Sequence, residues 1–298
     1  MQTVLVTGGS GFIGRHFCRV ASQLGWHLIV LSRSPAAAKV VLPEAVKIVS
    51  NLNEIATDEA IDIVVNLAGE PLAERRWTDS QKKKFYASRS GLTDSLYDFF
   101  SGRKLAPATL ISGSAIGYYG SGSDPKHEDS GFADGFSHQL CDSWEKSANR
   151  LQSLGTRVCT VRTGIVLGDQ GALAKMLLPF KCGLGGPIGD GRQMMSWIHI
   201  TDMVNILLHC IADTELSGPI NATAPNPVDN KTFVKALGTT LHRPVLLPMP
   251  GFMVKLLFGE MGVELLLQGQ CVIPQTLQQN GFRFEFPSLA RALDDLLS

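Results

Sequence analysis

Gly8, Gly11 and Gly14 stand at three-residue intervals directly behind an apolar, β-branched run that ends at Thr7. A strand that breaks through glycines into a helix leaves unpaired backbone N–H groups at the helix N-terminus, where the dipole favours an anion. A Cβ here would block the tight turn, the approach of a pyrophosphate and the close helix–strand contact. Phe12 and Ile13 lie between the last two glycines, open the apolar stripe of the helix and are counted with the glycines as cofactor residues. A dinucleotide is the expected ligand, with an ordinary glycine turn as the bland alternative.

The second predicted strand ends Val30-Leu31-Ser32-Arg33-Ser34. An acid at this point would hold a ribose 2′-hydroxyl and repel a 2′-phosphate. A hydroxyl and a guanidinium stand here instead, and both suit phosphate oxygens, so Ser32 and Arg33 select NADP(H) over NAD(H). The fourth strand ends Val65-Asn66-Leu67-Ala68-Gly69, and a glycine just past it lets the backbone of Leu67, Ala68 and Gly69 pass close to the adenosine ribose or the phosphates.

The elements that position these residues follow from the pattern of apolar runs. Strands are predicted at 2–7, 27–32, 46–49, 62–67, 108–113 and 157–162, with helices near 11–24, 80–101 and 138–154. Continuous apolar strands separated by helices imply an α/β fold whose parallel sheet is covered on both faces. Ligands of such sheets bind beyond the carboxyl ends of the strands. After Gly168 a glycine-rich stretch (Gly183, Gly185, Gly186, Gly189, Gly191) leads into a substrate-side lobe. An apolar helix is predicted at 252–268 and a short amphipathic one at 289–297.

The 298 residues suffice for one large α/β domain with a smaller appended part. Lys plus Arg and Asp plus Glu both number 27, so no strongly charged partner is implied, and no basic stripe interleaved with aromatics points to nucleic acid. The run Lys82-Lys83-Lys84 lies in a polar helical segment and reads as a solvated face. Six scattered cysteines without a Cys-x-x-Cys pair suggest neither zinc nor disulfides and suit a reducing, cytoplasmic setting. No apolar run approaches the roughly 18 residues of a membrane span. The partner expected is a small-molecule substrate, not nucleic acid or membrane, and a homodimer is left open.

Gly8-Gly9-Ser10-Gly11-Phe12-Ile13-Gly14, Asn66-Leu67-Ala68-Gly69, Ser112-Gly113-Ser114-Ala115, Val161-Arg162-Thr163-Gly164 and Trp197-Ile198-His199-Ile200-Thr201-Asp202 occur in that order. Together they resemble an extended short-chain dehydrogenase/reductase of the epimerase type. Glu70-Pro71, Arg75-Arg76-Trp77, Ser88-Arg89, Gly117-Tyr118-Tyr119-Gly120, Trp144-Glu145, Leu178-Pro179-Phe180, the 183–189 glycine stretch and Gly269-Gln270 are similar to the narrower YfcH-type epimerase-family proteins, which carry a C-terminal domain of unknown function. The resemblance spans the chain. It implies a Rossmann-like, doubly wound sheet over 1–168, to which parts of 196–222 return. Substrate-side segments would occupy 169–246, and the C-terminal helical domain 247–298. It also places Arg89 near the cofactor phosphates, with Lys84 counted on the same side.

In the wider superfamily a Ser or Thr at the end of the fifth strand binds the substrate oxygen, and a Tyr-x-x-x-Lys pair on the next helix supplies the acid/base. Ser114 matches the first role. The pair is absent: Ser137 stands where tyrosine belongs and Cys141 where lysine belongs. Tyr118 and Tyr119, in the glycine-bounded loop after Ser114, are the substitute proton carriers, and Glu145 is a further candidate unless it pairs with Lys146 or a nearby arginine. Sugar-nucleotide members carry an arginine at the position of Met195, so an uncharged substrate is expected here. His199 and Asp202 read as structural residues opening a helix. The chain is thus expected to be an oxidoreductase or epimerase-like enzyme. The alternatives are an NADP(H)-binding sensor without catalysis and, on fold analogy alone, a nucleotide-sugar epimerase.

Overall fold

The valine-, isoleucine- and leucine-rich runs form seven parallel strands that lie side by side in the order Lys47–Val49, His27–Leu31, Thr3–Thr7, Ile63–Asn66, Thr109–Ala115, Arg157–Thr163 and Gly218–Ala222. This is a doubly wound sheet, seen in a computed structural model that describes residues 2–298. The winding direction reverses between the first strand and Ile63–Asn66, which pair in parallel with Thr7 opposite Asn66. The crevice above that reversal is where such sheets receive their ligands.

Side chains alternate between the two faces of the sheet with the period of two that a strand imposes. Val4, Val6 and Val30 point to a core shared with Phe17 of the helix Phe12–Gln23 and with Met203 and Ile206 of the helix Ile200–Ala212. Leu5, Ile29 and Val64 point to the opposite core, closed by Leu96 and Phe100 of Leu92–Ser101 and by Ala148 of Phe136–Asn149. Each of the Val, Leu, Ile, Phe and Met side chains among these contributes about 1.5–3 kcal/mol when fully buried. A third core joins Leu167, Trp197, Phe233 and Leu237 to Leu289 and Leu293 of the C-terminal helix Leu289–Leu297.

Two expectations change. The helix expected over 80–101 is Asp79–Tyr86 and Leu92–Ser101 joined by a π-helical turn, Ala87–Gly91, which inserts Arg89 toward the sheet. The apolar helix expected over 252–268 is Gly251–Gly262, kinked where Gly259 takes φ 61°, and it ends in a second π turn, Val263–Leu267. The chain then forms a short strand, Gln270–Val272, beside Gly122–Lys126. Among the described residues no helix is long and apolar enough to cross a membrane, and no cluster of His, Cys, Asp and Glu is arranged to hold a metal ion.

Candidate functional site

Gly8 has φ +69°, and a Cβ there would lie 2.7 Å from Ala68 N and Leu67 C. A Cβ on Gly14 would come within 2.2 Å of Gly8 O, while Gly11 N donates to that same oxygen at 2.9 Å. The loop therefore closes on itself with no room for side chains. Gly11 caps the helix Phe12–Gln23 without a side-chain bond, and the first turn holds no acid, so nothing local neutralises its positive end. Phe12 and Ile13 are half-buried. The Phe12 ring fills the space above Gly168, where a Cβ would lie 2.7 Å from it.

Beneath the loop a buried polar chain ties two strand ends to the helix Leu92–Ser101. Thr7 Oγ1 donates to Asn66 Oδ1 (2.6 Å) and accepts from Ala68 N (3.2 Å). Asn66 Nδ2 donates to Thr93 Oγ1 (2.8 Å), whose hydroxyl donates to Arg89 O (2.8 Å). These bonds fix Leu67, Ala68 and Gly69 against the glycine loop. Thr7 and Asn66, polar residues at the ends of otherwise apolar runs, are the sequence signal for this lock.

Ser32 is buried at the carboxyl end of the second strand, with Oγ accepting from Ser34 N at 3.3 Å. Arg33 is 88% exposed and 3.8 Å from the Glu70 carboxylate, so its guanidinium is free to turn toward a ligand. Lys84 is exposed on the outer side of its helix. Arg89 is buried rather than paired with Asp94, which binds Arg150. Its Nη2 donates to Glu70 O (3.0 Å), and its Cζ lies 5.3 Å from the centre of the Trp144 ring. A Cβ on Gly69 would meet Arg89 Cζ at 2.9 Å, so the guanidinium lies directly against the Gly69 backbone. Burial draws its pKa down to about 10, which leaves it charged at neutral pH.

Ser114 is buried at the end of Thr109–Ala115 and donates to Glu145 Oε1 at 2.6 Å. Arg162, from the neighbouring strand, donates through Nε to Glu145 Oε1 (2.8 Å) and through Nη2 to Oε2 (2.9 Å). Glu145 thus pairs with an arginine and not with Lys146, which binds Asp142 at 2.7 Å. Arg162 Nη1 also donates to Tyr119 Oη (2.9 Å), and Tyr119 donates to Asn221 Oδ1 (2.7 Å). Burial works against the Arg162 charge, but the Glu145 bonds and charge outweigh it and its pKa is raised. Burial pushes the Tyr119 phenol up to about 12. Tyr119 is thereby a locked member of a buried network, whereas the half-buried Tyr118 lays its ring 3.5 Å from Arg162 Cζ and makes no hydroxyl hydrogen bond among the described residues.

The two substituted positions lie on the adjoining helix. Cys141 is fully enclosed, and burial, reinforced by the Glu145 charge, pushes its thiol up to about 12, so it supplies no charge. Ser137 donates through Oγ to Glu264 Oε2, and its N–H donates to the same oxygen at 3.3 Å. Glu264 comes from the second π turn, and nothing in the sequence pattern linked it to Ser137. His199 caps Ile200–Ala212 by accepting from Thr201 N (3.1 Å) and stacks on Phe286, the structural role expected. Asp202 does more than oppose the helix dipole: its carboxylate accepts from Glu285 N (2.8 Å) and Phe286 N (2.9 Å), and burial raises its pKa. Met195 accepts from Asn230 Nδ2 at 3.3 Å, and Arg192 is exposed.

Comparison with known proteins agrees with this architecture. Residues 4–222 match the model of the NAD dependent epimerase/dehydratase family, and residues 249–296 match a domain of unknown function, DUF1731. The epimerase family protein YfhF of Bacillus subtilis is 37% identical over 303 residues, covering 100% of this chain and 98% of the relative. Human epimerase family protein SDR39U1 is 35% identical over 300 residues, covering 99% of both. A crystal structure of the human protein (isoform2) with NADPH superimposes with a TM-score of 0.90 at 34% identity, again over 99% of each chain. A UDP-galactose 4-epimerase structure shares the fold at a TM-score of 0.77 with 16% identity. With its Rossmann-like sheet and glycine cradle in place, the chain belongs to the NAD dependent epimerase/dehydratase family.

Proposed function

We propose that this chain binds NADP(H) in the switch-point crevice and uses it for hydride transfer on a small, uncharged molecule in the cytoplasm, as an oxidoreductase or an epimerase-like enzyme. The observation that carries the reading is the human relative's crystal structure with NADPH, which superimposes along 99% of both chains. The cradle fits such a group, because Cβ atoms on Gly8 and Gly14 would meet backbone at 2.7 and 2.2 Å.

Gly8, Gly11, Phe12, Ile13 and Gly14 would hold the pyrophosphate on the helix N-terminus, and Ser32 with Arg33 would hold the 2′-phosphate. Leu67, Ala68 and Gly69 would flank the ribose, with Arg89 on the cofactor side. Bound NADPH supplies the hydride. Ser114 would orient the substrate by accepting from its hydroxyl, since the Ser114 proton is itself donated to Glu145 at 2.6 Å. Of the two tyrosines, Tyr118 is the better proton carrier, since both bonds of the Tyr119 hydroxyl are taken. Met195 in place of an arginine favours an uncharged substrate over a nucleotide sugar.

The test is titration of NADPH and NADH into purified protein, followed by loss of reduced cofactor against a panel of carbonyl compounds. Turnover that falls in Ser114→Ala and Tyr118→Phe with NADPH affinity unchanged supports the reading. Ser137 and Cys141 at the acid/base positions favour a second reading, an NADP(H)-binding sensor. Tight NADPH binding without turnover on any carbonyl would support that one.

A further inference from the structure

Arg89 is a buried cation with too few partners. Its guanidinium offers five N–H donors, yet it makes one good bond, to Glu70 O at 3.0 Å, and one long contact of 3.5 Å to Ser88 Oγ. No carboxylate among the described residues lies within ion-pair distance of it. A buried charge left in this state is costly unless another group completes it.

Its surroundings are built to keep it there. The π turn Ala87–Gly91 widens the helix at Arg89, a distortion frequent at functional sites. Gly69 leaves room for the guanidinium, which would meet a Cβ at 2.9 Å. Trp144 provides the ring it lies over, and the indole Nε1–H is itself buried without an acceptor. Trp144 and Cys141 are three residues apart and share one helix face. Trp144 also packs against Gly113, where a Cβ would lie 2.8 Å from the ring. The guanidinium thus rests on Gly69, beyond the carboxyl end of the fourth strand, and on Trp144, whose ring in turn packs against Gly113 of the fifth strand, next to Ser114. The cradle at Gly8 and the 2′-phosphate candidates lie on the other side of the switch point, on the first and second strands.

We propose that Arg89 is the donor that holds the oxygen atoms of the nicotinamide-side ribose, giving that end of the site the fixed positive charge that Cys141 does not supply. This rests on the NADP(H) reading above and narrows the role of Arg89 to the reacting half of the cofactor. A guanidinium beside two ribose hydroxyls donates to both at once, and a permanent charge there also favours the deprotonated form of any acid next to it.

The experiment compares two ligands on three proteins. NADPH carries the nicotinamide ribose, whereas adenosine 2′,5′-bisphosphate carries only the adenine half. For Arg89→Met, the expected result is a loss of NADPH affinity of about tenfold to a hundredfold, the range for hydrogen bonds to a charged group. Affinity for adenosine 2′,5′-bisphosphate should stay within about twofold. Thermal melts without ligand should show Arg89→Met as stable as wild type or more so, because an uncompensated buried charge has been removed. Arg89→Lys keeps the charge without the fork and should lose less NADPH affinity than Arg89→Met. If the Met variant does not fold, the Lys variant must still weaken NADPH alone. Unchanged NADPH affinity, or an equal loss for both ligands, overturns the proposal. A wild-type protein that binds neither ligand overturns the NADP(H) reading itself.

Discussion

Removing the Glu145 carboxylate tests how the catalytic end of the site is held. Glu145 and Arg162 expose only 9% and 4% of their side chains, and their two bonds are 2.8 and 2.9 Å. Replacing Glu145 with Leu leaves a guanidinium that cannot lose its proton, buried without its carboxylate, and strips the acceptor from Ser114 as well. Breaking a buried pair from one side costs about 3–5 kcal/mol. For a chain of this length, the per-residue entropy of unfolding converts that to a fall in Tm of roughly 5–8 °C. The double variant Glu145→Leu, Arg162→Met removes both charges and should recover more than half of the loss, because burying the pair was itself expensive. Urea or thermal unfolding of the four proteins completes the cycle. A single variant within about 1 kcal/mol of wild type, or a double variant that costs the sum of the singles, would refute this account of the network.

Three further outcomes follow from the same geometry. Arg33→Ala should weaken NADPH by about tenfold to a hundredfold and leave NADH unchanged in a fluorescence titration; equal wild-type affinity for both would remove the role of Ser32 and Arg33. Gly14→Ala must displace the loop, since its Cβ would fall 2.2 Å from Gly8 O, so NADPH binding should be lost while near-wild-type helix content persists by circular dichroism. His199 has a pKa lowered mainly by burial, with Asp295 at 3.3 Å opposing and His16 adding to the shift. Below the ordinary histidine value of about 6.5 the unfolded chain therefore binds more protons. Stability present above that value is lost as pH falls toward the lowered folded value, and His199→Gln should reduce the drop in Tm between about pH 7.5 and 5.5. Asp202, with its raised pKa, acts in the opposite direction and only in the carboxylate range.

The glycine cradle and the positions of the strands could be read from the sequence because both rest on local rules: continuous apolar runs, and the room a backbone needs at Gly8 and Gly14. Ser114 could be placed at a strand end for the same reason. Arg162 could not be given a partner, since an arginine inside an apolar strand says only that some acid must be near it, and Glu145 lies 17 residues away on another element. The full burial of Tyr119 against the half-burial of Tyr118 is a tertiary distinction between adjacent residues of one type. The π turn that carries Arg89 inward was invisible to a helical period of 3.6, which treats 80–101 as one face.

The C-terminal residues show most clearly why a site can exceed its motifs. Glu264 accepts from Ser137 at the start of the helix that carries Cys141 and Glu145. Ser196 Oγ donates to Gln270 O and accepts from Val272 N, both at 2.8 Å, while Asn221 Nδ2 donates to Ile273 O at 3.0 Å. A Cβ on Gly269 would lie 2.2 Å from Met194 O, so the chain passes directly against the segment that holds Met195. Asn221 is also the acceptor for Tyr119. The bonds that fix the network under Ser114 and those that dock residues 264–273 therefore share one side chain. Loss of the C-terminal segment would free Asn221, then the Tyr119 hydroxyl, then Arg162, so that segment acts on the candidate catalytic end through Asn221 and by direct contact at Ser137.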